Sequence, residues 1–175
     1  KAHHDLGARG LSFENKRKII EILKPYGRIF ITTEREIESE FQRYQIRIKP
    51  HEIHSFLYYA EMFIGDSQTM TSEAAILGTP AFKCNSFAAK LSVPNELERK
   101  YNICYSFLPI GFEDMLGKIK TTVSMKNMKM VWRKRVDRLL GERIDVTAFL
   151  VWFVENYPES YRRMNEKPEI QYTFK

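Results

Sequence analysis

With 175 residues, 43% of them apolar, the chain is long enough to bury a substantial core, as one domain or as one half of a two-domain protein. Its longest apolar run, Val146 to Val154, is about half of the roughly 20 residues a membrane span needs, so it reads as a buried helix and not an anchor. The net charge is +6, and the two cysteines exclude a disulfide scaffold.

No repeat, linker or low-complexity tract marks an internal boundary, so residues 1–175 are expected to form a single domain. The chain opens "KAHHD", without an initiator Met or a signal sequence, as expected of a chain whose native start lies further upstream. Cys84 and Cys104 each end an apolar run, where a small buried thiol fits, and they point to a reduced, cytoplasmic protein.

In chain order, "ENKRKIIEILK" (Glu14 to Lys24) predicts a helix stopped by Pro25 and Gly27. "RIFITT" (Arg28 to Thr33) predicts a strand. Thr33 with Glu36 has capping-box spacing and predicts a helix to about Tyr44. "IRI" (Ile46 to Ile48) predicts another strand, and Pro50 starts a helix through Tyr59. "MFIG" and "AFKC" predict strands on either side of a helix from about Gln68 to Leu77. A helix near Asn95 to Tyr101 precedes the strand "ICYSF" (Ile103 to Phe107), and helices follow over about 111–123, 127–140 and 145–156. Near-continuous apolar strands alternating with helices predict an α/β fold: a Rossmann-like parallel sheet of about five strands with helices on both faces.

The basic segment Gly117 to Arg143 carries nine Lys/Arg against two acids. Met128, Val131, Trp132, Val136 and Leu139 recur within it at helical spacing, which makes the charges the solvated side of an amphipathic helix. Nucleic acid is not expected, because the aromatic residues fall on the apolar stripe and not among the charges. A weak contact of this segment with an anionic or membrane surface stays open, as does a homodimer.

Ligands of parallel α/β sheets sit beyond the carboxyl ends of the strands, where helix N-termini present free N–H groups. In "FIGDSQTMTSEAAILGTPAFKCNS" the strand stops at Gly65-Asp66, and Ser67, Gln68 and Thr69 form the turn into the next helix. Their hydroxyl, amide and backbone N–H groups suit phosphate oxygens. Glu73 is four residues beyond Thr69, on the same helical face, where a carboxylate suits the hydroxyls of a ribose. Asn85 and Ser86 end the next strand, and Asp66, Asn85 and Thr33 are expected at the same edge of the sheet. A purely structural role fits the same residues, with Ser67 and Thr69 as helix caps and Glu73 solvated.

The spacing of Ser67, Glu73, Gly78 and Pro80 resembles the nucleotide-binding signature of UDP-N-acetylglucosamine 2-epimerase and, more loosely, that of other GT-B glycosyltransferases. With "AHHD", "LGTPAFKCNSF" and "IDVTAFLVWFVENYP", nearly the whole chain resembles the C-terminal half of an uncharacterised prokaryotic family grouped with those enzymes. The resemblance implies that Ser67, Gln68 and Thr69 hold a diphosphate and that Glu73 holds the ribose, and Asp66, Asn85 and Ser86 are expected to complete the nucleotide-binding edge. It departs from the epimerase in having Gln68 and Thr69 where that enzyme has two glycines, so side chains replace some backbone contacts. It also makes His4, or His3, a catalytic candidate reaching the diphosphate, with Asp5 fixing the imidazole tautomer. His51 and His54 lack the partners of a zinc site, and no metal is expected.

These features lead to an expected function. The chain is the UDP-sugar-binding half of a GT-B glycosyltransferase or sugar-nucleotide epimerase of surface polysaccharide or glycoconjugate synthesis, with UDP or UDP-sugar as ligand and no tightly bound cofactor. Its partner would be an N-terminal domain outside this chain, and alone it is expected to turn nothing over. The alternative is a non-catalytic Rossmann-like binding or interaction module.

Overall fold

The structure is a computed structural model that describes residues 10–33, 36–86, 88 and 92–175. Its centre is a three-stranded parallel sheet, β1 (Phe63–Gly65), β2 (Ala81–Cys84) and β3 (Cys104–Phe107), in the order β1-β2-β3. The register sets Gly65 beside Lys83 and Lys83 beside Ser106. All four residues of β2 are buried, which is why "AFKC" carries no polar alternation typical of a half-exposed strand.

Helices cover both faces. On one side Ala81, Ile103 and Cys104 pack with Leu57 of α2 (Ile53–Tyr59), Ala74 and Ala75 of α3 (Gln68–Ile76), Leu97 of α4 (Ser92–Arg99), and Met128, Trp132, Val136 and Leu139 of α6 (Met128–Gly141). On the other side Phe82 and Cys84 pack with Ile19 of α1 (Phe13–Leu23) and with Phe112, Met115, Leu116 and Ile119 of α5 (Phe112–Val123). Trp132 reaches across its core to donate from Nε1 to the Ile103 carbonyl at 2.9 Å, so its one polar atom is satisfied while the ring is buried. The stripe read from the sequence is therefore the buried face of α6.

The mixed α/β architecture with a parallel sheet and helices on both faces agrees with the sequence; the strand number does not. The described residues form three sheet strands instead of about five. "RIFITT" and "IRI" meet each other in a single parallel bridge, Ile31 to Gln45, with Ile31 N–H donating to Tyr44 at 2.8 Å and Ile46 N–H to Ile31 at 3.0 Å. Phe30 remains 56% exposed there, so this pair is not covered on both faces as β2 is.

The helix expected from Thr33 to Tyr44 is also shorter, a 3-10 turn over Ser39–Tyr44. Phe41, stacked near Phe13 with ring centroids 5.2 Å apart, is its one deeply buried residue, too little apolar surface to support three helical turns.

After α6 come α7 (Val146–Glu155) and α8 (Glu159–Glu166), the second absent from the sequence reading, and a final 3-10 turn over Pro168–Thr173. α7 buries none of its residues completely. Phe149, Trp152 and Phe153 cluster with Phe174, while Leu150, Val151 and Val154 stay exposed. Among the described residues no helix is long and apolar enough to cross a membrane.

Candidate functional site

The carboxyl end of β1 leads straight into α3. Ser67 is the N-cap: its backbone is extended, and its Oγ accepts from the Met70 N–H at 3.4 Å, satisfying one of the free donors of the first turn. Thr71 and Ser72 hydroxyls donate back to the Ser67 and Gln68 carbonyls at 2.6 and 3.2 Å. Part of the hydroxyl content of the stretch is thus spent on the helix itself. Thr69 is exposed at the first turn. The helix ends at Gly78, whose φ of +85° lets the chain reverse, and buried Thr79 then donates to the Leu57 carbonyl at 2.6 Å.

Asp66 and Asn85 meet at the strand ends, where Asn85 Nδ2 donates to the Asp66 carbonyl at 2.8 Å. Asn85 is buried, and Ser86 follows it in the turn. The backbone of Gly10 presses against Asp66 so closely that a side chain at position 10 would collide with it. Gly10 therefore lies at this edge. His3, His4 and Asp5 themselves lie outside the described residues. Thr33 stands two residues past the isolated bridge and outside the three-stranded sheet.

Glu73 lies one turn behind Thr69, half-buried, with Oε2 3.4 Å from Nε2 of exposed His54 on α2. That pairing was not legible in the sequence, since the two residues are 19 apart and join only when α2 packs on α3. It ties the carboxylate to a neighbour that carries charge only when protonated.

The sequence reading also missed Lys83. It points to the α3 side of the sheet, is only 1% exposed, and donates from Nζ to Oε1 of Gln68. Burial pushes its pKa down, against a smaller opposing influence from Cys104 and Glu98. The same burial pushes the Cys104 thiol up to about 12, and raises Cys84. Both cysteines are free and buried, and burial disfavours the thiolate of each.

The basic segment is largely engaged within the molecule. Arg135 donates to the Asn102 carbonyl at 2.7 Å and covers the Trp132 ring, Arg133 donates to Tyr58 Oη at 2.8 Å, and Arg143 pairs with Glu96. Hollows of about 250 and 390 Å³ lie elsewhere, between α1 and the 39–44 turn and beside the Ile31 bridge. At the α3 turn Asp66, Ser67 and Thr69 are exposed.

A parallel sheet with a capped helix N-terminus and polar residues gathered at the carboxyl ends of its strands defines a Rossmann-like α/β protein. The chain belongs to the DUF354 family, described as protein of unknown function, whose model matches residues 13–138. No curated protein and no solved structure matches it.

Proposed function

We propose that this chain is the nucleotide-sugar-binding half of a GT-B-like glycosyltransferase or sugar-nucleotide epimerase, acting with an N-terminal partner domain. In this reading UDP or a UDP-sugar binds at this edge, with its diphosphate against Ser67 to Thr69, its ribose on Glu73, and Asp66, Asn85 and Ser86 beside the nucleotide. The observation that carries the proposal is the N-terminus of α3 at the carboxyl end of β1, with Asn85 bound to Asp66 beside it and Glu73 one turn behind. His3, His4 and Asp5 remain the proposed catalytic group, on the strength of the sequence resemblance and of Gly10 against Asp66.

A binding module without turnover is the second reading, favoured by the Ser67 cap and the Glu73–His54 pair, which need no ligand. Calorimetric titration with UDP and uridine separates the two. A carboxylate accepting from ribose hydroxyls makes charge-assisted bonds worth about 1.5–3 kcal/mol each, against about 1 for neutral ones. Glu73→Gln should therefore weaken UDP roughly tenfold or more, and Ser67→Ala should weaken UDP but not uridine. Equal UDP affinity in the wild type and Glu73→Gln, with Ser67→Ala affecting only the melting temperature, would leave the stretch as a helix cap.

A further inference from the structure

The face of the sheet under α3 and α4 changes character along the strands. Its first row, Phe63, Ala81 and Cys104, is apolar; its second row, toward the carboxyl ends, is Gly65, Lys83 and Ser106. Gly65 presents no side chain, and a Cβ there would meet the Phe63 ring at 2.9 Å. The row thus leaves Lys83 and Ser106 facing Gln68, the first residue of α3.

The hydrogen-bonding capacity of this group is unbalanced. The Lys83 ammonium has three N–H donors and, among the described residues, makes one hydrogen bond, to Gln68 Oε1. Gln68 Nε2 and Ser106 Oγ are buried without a hydrogen-bond partner among the described residues. Glu98, the carboxylate whose field reaches Lys83, accepts at Oε2 from the Ser106 backbone N–H at 3.2 Å, and no ion pair joins it to Lys83 among the described residues. A buried ammonium held by Gln68, the first residue of α3, thus lies beside Ser106 in the register, with the Gln68 amide N–H and the Ser106 hydroxyl unmatched among the described residues. Buried donors left unmatched are costly and rare in folded proteins, and an anionic oxygen would match them.

We propose that Lys83 is the cationic residue of the diphosphate subsite, stored against Gln68 until a phosphate oxygen reaches the first turn of α3 and replaces Gln68 Oε1 as its acceptor. The proposal rests on the nucleotide reading above and adds to it the group that neutralises the diphosphate, with Ser106 as a second donor. In the free protein the Gln68 side chain lies between Lys83 and the exposed turn; rotating it outward opens a short path from the amine to the ligand. Lys83 acts here by binding, and no proton transfer is assigned to it.

The test is titration of this chain with UDP, inorganic pyrophosphate and uridine, comparing the wild type with Lys83→Met and Lys83→Gln, two neutral substitutions of similar length. Both variants should lose at least tenfold in UDP and pyrophosphate affinity while uridine changes less than twofold, a split that mere structural damage would not produce. The wild type gives an independent reading, since the Lys83 Cε resonance should move on adding pyrophosphate and stay still on adding uridine. Equal UDP affinity in the wild type and both variants, or a Lys83 resonance indifferent to pyrophosphate while UDP binds, overturns the Lys83 assignment alone. Failure of the wild type to bind either phosphate overturns it together with the nucleotide reading.

Discussion

Lys83 and Gln68 show what a residue's neighbours do that its identity does not. "AFKC" reads as a buried strand with one charge in it, and nothing local says where that charge goes; the register with Gly65 and Ser106 decides it. The consequence is measurable. In the unfolded chain the amine keeps its proton up to about its usual 10.5, while burial lowers that value in the fold, so the buried ammonium opposes folding below this window and the opposition fades as pH rises through it. The stability difference between Lys83→Met and the wild type should accordingly move in favour of the wild type as pH is raised toward 10.5, read from urea unfolding at several pH values. A difference independent of pH would mean that Lys83 is as solvated as an ordinary lysine. Ser67, Glu73 and Asn85 were legible as a polar edge because strand end, turn and helix face are sequence-local; the Glu73–His54 contact was not, because packing of α2 on α3 creates it.

At the scale of elements, strong periodicity was decisive and weak periodicity misled. β2 appears with the bounds its apolar run indicated, and α5, α6 and α7 lie within a residue or so of expectation. The Thr33–Tyr44 helix was inferred from a cap and charge spacing without an apolar stripe, and only Phe41 buries deeply there. α8, "ESYRRMNE", is polar nearly all round and carried no signal of its own; it is placed by packing against α7 and the 168–173 turn. The joint between α4 and α6 offers a test. Glu142, at the end of α6, is held down to about 2 by Lys100 at 2.6 Å and by the Tyr101 hydroxyl, which donates at 2.8 Å. Its folded value lies below its unfolded one, near 4.5, so the joint stabilises the fold above that pH and loses its contribution as pH falls toward 2. Glu142→Gln should be less stable than the wild type at pH 7 and lose less on acidification, as followed by thermal melting between pH 7 and 2.5; parallel acid profiles would show that the joint adds nothing.

The whole molecule divides its chemistry by face and edge. Two apolar cores clamp the short sheet, the basic side of α6 is tied to Tyr58, Asn102 and Glu96, and the polar groups with spare capacity gather where β1, β2 and β3 end. The α/β class and the polar edge at the strand ends were legible from strand–helix alternation, whereas the strand number was not, because it depends on whether "RIFITT" and "IRI" are covered on both sides. The central claim is that this edge binds a nucleoside diphosphate, and amide NMR of the chain during UDP addition tests it most directly. The account predicts saturable shifts confined to Asp66–Met70, Lys83–Ser86 and the turn of Glu73, with the α6 amides of 133–140 unmoved. Shifts centred on α6, or none up to millimolar UDP, would contradict it.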